Sequence, residues 1–256
     1  MLYTMIRHLL ISDKDKEQLS KTVWDPQSQE DDFFDYSKVL IQKPWGHEYL
    51  LYRTPDVAVW VLNIKQGYKT SLHCHPNKKT SLAVLSGNAE CSTLQDTHTL
   101  RVGDGFLIDK GVFHSTAALS PEGVMVIETE TPTNKKDLVR AFDAYGRVGK
   151  GYENSSCYTD LDGAVHCNFH VNSYSMSRRV GEFELAIARY RDSYEFENRF
   201  YAMPADVVGI LRGSLMDRSN QLVFDVGDVM NKEEVQGKGN LTMSQESEFL
   251  FINHVV

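Results

Sequence analysis

Short apolar runs alternate with polar turns along most of this chain. From Lys43 to about Pro132 the runs are rich in Val, Leu, Ile and Thr, and Gly, Asp, Asn and Pro separate them; examples are VAVWVLNI, TSLAVLSG, GFLI and GVMVIETE. Many short strands at such spacing are typical of a β-sandwich or barrel. We therefore expect a mainly β fold.

The strand pattern returns after residue 150 and repeats itself. The segment LAVLSGNAECSTLQDTHTLRVGDGFLI (82–108) is similar to VVGILRGSLMDRSNQLVFDVGDVM (207–230). In each copy an apolar strand ends in a glycine, Gly87 or Gly213, and a Val-Gly-Asp turn follows. An internal repeat of this kind indicates two copies of one β-unit. We expect an N-terminal extension at 1–40, a first barrel at 41–150 and a second at 151–256.

Two segments have the pattern of short helices. SDKDKEQLSK predicts a helix that begins at Ser12 or Asp13, and the following DPQSQEDD (25–32) predicts a loop. TNKKDLVRAFDAYGR predicts a helix between the barrels, with Thr133 as its N-cap and Gly146 near its end. The expected architecture is thus two tandem jelly-roll barrels with short N-terminal and inter-barrel helices.

Composition narrows the classes of partner. The net charge of −8 argues against a nucleic-acid binder, and no apolar run reaches the roughly 20 residues that a membrane span needs. The four cysteines lack the spacing of paired metal ligands and are too few for a disulfide scaffold; they are Cys74, Cys91, Cys157 and Cys167. We expect a cytoplasmic protein with reduced thiols and a small-molecule partner.

Two histidines stand one residue apart in a strand-like stretch. In GYKTSLHCHPNKKTSLAVLSG, His73 and His75 occupy positions i and i+2, so an extended chain points both imidazoles to one face. Cys74 between them then points to the opposite face, into packing. The pair predicts half of a metal site.

The spacing around these histidines continues into a longer pattern. The sequence runs Gly67-x5-His73-x-His75-x4-Thr80-x6-Gly87 and then Gly103-x5-Asp109-x-Gly111-x2-His114. This pattern resembles the two sequence motifs of the cupin superfamily. The resemblance implies that His73, His75 and His114 bind one metal inside a small jelly-roll barrel. Two positions depart from the motifs, since Thr80 replaces a glutamate and Asp109 replaces a proline.

Loss of the motif glutamate changes the expected ligand set. Three imidazoles leave the full charge on the metal, and they suit Zn(II), Fe(II) or Ni(II), with Mn also open. Glu90, Glu128 and Glu130 are candidates for a further ligand, of which we favour Glu128.

A narrower resemblance covers residues 43–147. QKPWGHEY, the histidine stretch and VIETETPTNKKDLVRAFDAYGR together are similar to the cupin domain of type II mannose-6-phosphate isomerases. This resemblance implies a metal-dependent aldose–ketose isomerase acting on a phosphorylated or nucleotide-linked sugar. The departures lie in the site, with histidine for glutamine at 73, lysine for arginine at 78 and threonine for glutamate at 80.

Basic and acidic residues complete the expected site. Four cations are expected to bind the anionic sugar derivative: Lys43, Lys78, Arg140 and Arg147. Glu128 and Glu130 are the expected catalytic groups, because an isomerase needs a base that moves a proton between carbons.

Two other functions remain open, a three-histidine Fe(II) dioxygenase and a non-catalytic ligand-binding cupin. The second copy places Arg199, Tyr201 and Gln236 where the first has its histidines, so we expect no metal there. The cupin resemblance also suggests a homodimer.

Overall fold

The computed structural model describes residues 5–22, 24, 34–161 and 177–255. The predicted loop at 25–32 and Cys167 lie outside these residues. In chain order the first strands are β1 Ile6–Leu9, β2 Val39–Lys43, β3 Gly46–Arg53, β4 Ala58–Ile64, β5 Leu72–Cys74, β6 Lys79–Ser86, β7 Ala89–Thr93, β8 Thr97–Leu100, β9 Gly105–Ile108, β10 His114–Ala118, β11 Val124–Thr131, β12 Val139–Phe142 and β13 Tyr158–Asp160.

The later strands are β14 Ser177–Val180, β15 Phe183–Tyr190, β16 Val207–Arg212, β17 Leu215–Met216, β18 Leu222–Phe224, β19 Val229–Asn231, β20 Thr242–Met243 and β21 Ser247–His254. The helices are α1 Asp13–Lys21, α2 Ser193–Arg199 and α3 Lys232–Lys238, with single 3-10 turns at Tyr36–Lys38 and Ser155–Cys157. The mainly β fold expected from the sequence is confirmed. Among the described helices, none has the length and apolarity to span a bilayer.

Two sheets form the N-terminal unit. The larger sheet has the order β1-β9-β6-β11-β4-β3-β2-β13, and the smaller has the order β12-β5-β10-β7-β8. Side chains from both sheets form one buried cluster, in which Trp60 and Leu82 of the larger sheet accompany Ala89 and Cys91 of the smaller. This two-sheet arrangement is that of a jelly roll.

The larger sheet is buried on both faces, which explains its continuous apolar runs. Along β4, Trp60 and Leu62 point into the N-terminal unit, whereas Val59 and Val61 point away from it. The outward side chains pack against the sheet β14-β15-β21-β16-β19, which contributes Leu185 among others. The sheets of the chain are therefore stacked in layers. The remaining sheet, β18-β17-β20, packs against the β14-β15-β21-β16-β19 sheet through a third apolar cluster, to which it contributes Leu215 and Phe224.

The repeated turns adopt the same local structure. The N–H of Gly103 donates to the carbonyl of Val84 (2.9 Å), and the N–H of Gly227 donates to the carbonyl of Ile210 (2.8 Å). Both glycines have φ near +85°, namely 85° and 84°, a region that favours glycine. The division of the chain at residues 40 and 150 stays a prediction. Strands β1 and β13, which lie outside those limits, pair with the N-terminal sheet.

The helix predicted at 12–21 is confirmed, and its first turn is held by a capping box. The N–H of Asp15 donates to Oγ of Ser12 (3.2 Å), and the N–H of Ser12 donates to the Asp15 carboxylate (2.9 Å). The carboxylate also accepts from the N–H of Phe113 (3.0 Å), which ties α1 to the loop before β10.

The helix predicted from Thr133 to Gly146 is wrong. Residues 139–142 form β12, which pairs antiparallel with β5, and turns surround it. Val139 packs with Cys74 and Phe113, and Arg140 is buried beside His73. These contacts come from distant parts of the chain, and they override the local helical propensity.

In the second copy, helices occupy the places where the first copy has its histidine-bearing strands. Arg199 ends α2 and Gln236 lies in α3. Three phenylalanines, Phe196, Phe200 and Phe249, fill the space beside α2. This interior is apolar, in contrast to that of the N-terminal unit.

Candidate metal centre

Three histidines meet on the inner face of the smaller sheet. His73 of β5 and His114 of β10 are direct partners across the antiparallel ladder, and His75 follows two residues after His73. The ring centroids lie 4.6 Å apart for His73 and His114, 5.0 Å for His73 and His75, and 5.6 Å for His75 and His114. Nitrogen atoms of all three rings lie within 4.8 Å of one another. As predicted from its position in the strand, Cys74 is buried on the other face.

Backbone carbonyls determine which nitrogen of each ring carries the proton. The Nδ1 atoms donate to carbonyl oxygens in the pairs His73–Ser71 (2.8 Å), His75–Asp137 (2.5 Å) and His114–Val112 (3.0 Å). A carbonyl only accepts, so each Nδ1 is protonated and each Nε2 retains its lone pair. Nε2 of His75 and Nε2 of His114 are buried and have no partner among the described residues. Orphaned lone pairs of this kind fit a metal ion.

The charge state of the rings also fits a metal. Burial lowers the pKa of His73 and His75 well below the usual value, and the neighbouring histidine and lysine charges act in the same direction. Burial lowers the pKa of His114 to about 4. All three imidazoles are therefore neutral near pH 7, and neutral imidazole is the form that coordinates metals.

Two glutamates approach the histidines from the opposite sheet. Glu128 and Glu130 of β11 are buried, and their carboxylate oxygens lie within 4.8 Å of a His75 nitrogen and of each other. Burial and the Glu130 charge raise the pKa of Glu128 to about 8. Burial also opposes ionisation of Glu130, but Lys135 and Lys78 outweigh it and lower its pKa. The pair is therefore one carboxylic acid and one carboxylate at neutral pH.

The glutamate missing at position 80 has a counterpart on the next strand. Thr80 of β6 is the direct cross-strand partner of Glu130, so both side chains point to the same face. The Thr80 hydroxyl is buried and has no partner among the described residues. Glu130 of β11 thus places a carboxylate beside position 80, where the motif has a glutamate on β6.

Ion pairs bind the glutamates to buried lysines. Lys135 lies 3.1 Å from Glu48 and 3.3 Å from Glu130, and its ammonium stands 3.7 Å from the centroid of the Trp60 ring. Lys78 lies 3.1 Å from Glu130. Buried charges of both signs in mutual contact keep each other ionised.

The predicted substrate-binding residues all line one cavity with the histidines. Lys43, Lys78, Arg140 and Arg147 border a space of ≈ 550 Å³, which includes its open mouth. Arg140 donates two hydrogen bonds through Nη1, to the carbonyls of Lys150 (2.7 Å) and Gly151 (2.8 Å). Its Nε is buried with no partner among the described residues, and its Nη2 lies 3.6 Å from a carboxylate oxygen of Glu153.

Some of these cations are also engaged by carboxylates. Lys43 pairs with Glu48 (3.3 Å) and with Glu153, and Arg147 pairs with Glu153 (2.6 Å) and Asp143 (2.7 Å). The ion pairs of Lys43 and Arg147 therefore connect the segments that form the wall of the cavity.

The cavity-lining residues that sequence reasoning missed include Glu48, Lys135, Tyr152 and Glu153. Glu48 lies within the KPWGHEY motif, and alternation from Gly46 along β3 would have placed it inward. Lys135 lies in the segment wrongly expected to be helical, so the sequence pattern did not predict that its side chain points into the cavity. Tyr152, whose hydroxyl donates to Glu48, and Glu153 lie in a loop that carries no periodic signal.

The chain is similar to known proteins over part of its length. Residues 60–130 match the family model described as a cupin domain. Similar solved structures include KdgF from Halomonas sp., which is 22% identical over 36% of this chain and 83% of that chain, with a TM-score of 0.34. An RmlC-like cupin from Shewanella frigidimarina is 18% identical over 41% of this chain and 95% of that chain, with a TM-score of 0.34.

A sugar phosphate isomerase from a cupin superfamily, from Silicibacter pomeroyi, is 15% identical over 46% of this chain and 74% of that chain, with a TM-score of 0.32. No protein with a curated description matches the chain. The segment matched by the family model contains the three histidines, Glu128 and Glu130. The match to the cupin domain thus covers residues 60–130, the part of the chain that carries the candidate ligands.

Proposed function

We propose that the N-terminal domain is a metal-dependent enzyme that acts on an anionic sugar derivative, and that its reaction is an aldose–ketose isomerisation. One observation carries the proposal. Three neutral imidazoles with free Nε2 lone pairs face a paired carboxylic acid and carboxylate in one cavity.

His73, His75 and His114 would hold the divalent cation, which is Zn, Fe(II), Ni or Mn. When bound, such a cation supplies Lewis acidity that polarises a carbonyl or hydroxyl oxygen of the sugar. Glu128 and Glu130 are near enough to His75 for one of them to add an oxygen ligand. These imidazole nitrogens and carboxylate oxygens thus fit the divalent cation that the proposed reaction requires.

The glutamate pair suits the proton transfers of an isomerase. Moving a carbonyl between adjacent carbons requires one group that accepts a proton from carbon and one that gives a proton to oxygen. Glu130 is ionised and can accept a proton at its carboxylate. Glu128 is protonated near pH 7 and can donate from its carboxyl. Groups whose environments separate their pKa values are typical of acid–base sites.

The charge of the cavity favours an anionic substrate. Five cationic side chains line it, namely Lys43, Lys78, Lys135, Arg140 and Arg147, against three ionised carboxylates once Glu128 is protonated. Arg140 also has a buried Nε with no partner among the described residues. A guanidinium in this position suits a phosphoryl group.

Two measurements test the proposal. Elemental analysis of the purified protein should find one divalent metal per chain, with the metal lost in His75→Ala and retained in His98→Ala, whose ring lies outside the cavity. NMR of mannose 6-phosphate and related sugar phosphates should then show conversion by the metal-loaded protein. Absence of metal from the wild type, or no conversion of any sugar phosphate with each candidate metal, contradicts the proposal.

A second candidate is an Fe(II) dioxygenase. Thr80 in place of the motif glutamate favours it, because the remaining set of three nitrogens is the one expected of three-histidine oxygenases. Oxygen uptake that depends on added Fe(II) would support this reading, whereas sugar conversion without oxygen supports the isomerase. Sugar-phosphate binding by a metal-loaded protein without turnover would indicate the third possibility, a ligand-binding cupin.

A further inference from the structure

The N-terminal arm, which comprises β1 and α1 (residues 5–22), lies against both sheets of the N-terminal unit. Strand β1 adds to the edge of the larger sheet by pairing in parallel with β9. Helix α1 packs on the smaller sheet on the face away from the histidines, where Leu19 contacts the cluster that contains Cys74. Because Cys74 lies between His73 and His75 in β5, the arm reaches the back of the strand that carries two candidate ligands.

Between β9 and β10 the chain forms a loop, residues 109–113, which we call the histidine loop because it leads directly to His114. Asp109 joins the start of this loop to the arm. The N–H of Asp109 donates to the carbonyl of Leu9 (3.0 Å), and Nε2 of His8 donates to the Asp109 carboxylate (2.7 Å). Asp109 stands where the motif has a proline, and a proline has neither this N–H nor a carboxylate. The residue that departs from the motif is thus the one that binds the arm.

A second contact joins the arm to the end of the same loop. The carboxylate of Asp15 on α1 accepts from the N–H of Phe113 (3.0 Å), and Asp15 is only 4% exposed. Between the two contacts, Ile11 packs over Gly111, on which a Cβ would lie only 2.9 Å from Cδ1 of Ile11. The arm therefore holds the histidine loop at its first, middle and last residues.

The histidine loop in turn orients two of the candidate ligands. The N–H of Gly111 donates to the carbonyl of His75 (2.8 Å), and the carbonyl of Val112 accepts from Nδ1 of His114 (3.0 Å). A group that accepts from Nδ1 fixes the tautomer and the orientation of a ligating imidazole. A displaced loop would therefore move the His114 ring away from the rings of His73 and His75.

We propose that the N-terminal arm is a positioning element of the metal centre, in which Asp15 and Asp109 fix the histidine loop so that His114 meets the other two ligands. Docking of the arm and binding of the metal then favour the same conformation of the loop, so each strengthens the other by the same factor. The inference rests on the metal binding of the proposed function, and it holds for any reaction at that metal.

The affinity of the full chain for Zn²⁺, measured by competition with a chelating dye, tests the contact at Asp15. Asp15→Ala should weaken Zn²⁺ binding about tenfold, the lower end of the range found for groups that orient metal ligands. Asp15→Asn should retain most of the wild-type affinity, because its side-chain oxygen can still accept from Phe113. Asp13→Ala is the matched control, since it removes the same charge from the first turn of α1 and the Asp13 side chain is fully exposed.

Hydrogen–deuterium exchange gives a readout that the metal-free protein also provides. In metal-free Asp15→Ala, peptides that cover the histidine loop should exchange severalfold faster than in the wild type, whereas peptides from the buried strand β4 should not change. Adding Zn²⁺ to the wild type should slow exchange in α1 about tenfold, because the coupling acts in both directions. Asp15→Ala should lose most of this slowing.

Three results would refute the positioning role: equal Zn²⁺ affinities of the wild type and Asp15→Ala, unchanged exchange in the histidine loop, or an equal loss of affinity in Asp13→Ala. The last result would assign the effect to charge instead of to the contact with Phe113. A wild type that binds none of the candidate metals contradicts the proposed function and the positioning role together. A wild type that binds metal but converts no sugar phosphate contradicts the proposed reaction alone.

Discussion

His73 and His114 are direct partners on neighbouring antiparallel strands, and their ring centroids lie 4.6 Å apart. The ladder between β5 and β10 thus sets the distance between two of the three candidate ligands. Arg140 continues the same row as the partner of His73 on β12. Because the row belongs to one sheet, the two candidate ligands and the guanidinium hold fixed positions relative to one another.

The first prediction concerns the residue that orients His75. The carbonyl of Asp137 accepts from His75, and its carboxylate accepts from the N–H groups of Asn77 and Lys78, both at 2.9 Å. Asp137→Ala should weaken metal binding about 10- to 100-fold, because the carbonyl that fixes the His75 tautomer loses its support. A competition titration with a chelating dye measures this change. The exposed Asp160→Ala should bind metal like the wild type, and equal affinities in the two variants would contradict the prediction.

The second prediction concerns pH. The folded protein raises the pKa of Glu128 from 4.5 to about 8, so in this range the folded state holds a proton that the unfolded state has released. As the pH increases from 4.5, the wild type should therefore lose up to about 1.4 kcal/mol of unfolding free energy per pH unit relative to Glu128→Gln. The loss should stop near pH 8, where the carboxyl of the folded protein also ionises.

Urea denaturation of both metal-free proteins at about pH 5 and about pH 8 measures this difference. The lowered pKa values of the three histidines act in the opposite direction, since they make the protein more stable as pH rises. Both proteins contain these histidines, so the difference between their unfolding free energies cancels the histidine contribution. A difference between the two proteins that stays constant with pH would show that Glu128 titrates normally.

The third prediction concerns the buried ammonium of Lys135. Lys135→Met leaves Glu48 and Glu130 without their shared cation, so the free energy of unfolding should fall by about 3 kcal/mol. Adding Glu48→Gln should restore part of the loss, because it removes one of the two buried carboxylates that Lys135 neutralised. Lys136→Met, at the neighbouring half-buried position, should change stability by less than about 0.5 kcal/mol. Urea denaturation of the four proteins settles the comparison, and equal losses at 135 and 136 would refute the role of Lys135.

The fourth prediction concerns the displaced carboxylate. Thr80→Glu would set a second carboxylate directly opposite Glu130, so the metal-free variant should lose about 2 kcal/mol of unfolding free energy. Thr80→Glu with Glu130→Gln keeps the number of carboxylates and should recover most of that loss. Added Zn²⁺ should stabilise the single variant more than the wild type, because the cation offsets the extra charge. Denaturation with and without a chelator tests both statements, and a double variant no more stable than Thr80→Glu would count against them.

Features that depend on neighbouring residues were predictable from the sequence. Strand alternation placed His73 and His75 on one face and Cys74 on the other. The resemblance to the cupin motifs implied that His114 joins them, and its ring lies beside theirs. The helix that begins after Ser12 was also predictable, because its capping box lies within four residues. The strand alternation and the capping box were predictable because the interactions that decide them involve residues close together in the sequence.

Tertiary structure alone decided the remainder. Residues 139–142 form a strand because they meet β5, more than sixty positions earlier in the chain, and no local pattern records that contact. Lys135 enters the cavity for the same reason, since its ammonium is buried where Glu48, far earlier in the chain, compensates its charge. The sequence by itself therefore determined the face on which the candidate ligands stand. Long-range pairing decided which charges surround them, because the cost of burying a charge depends on partners that folding brings together.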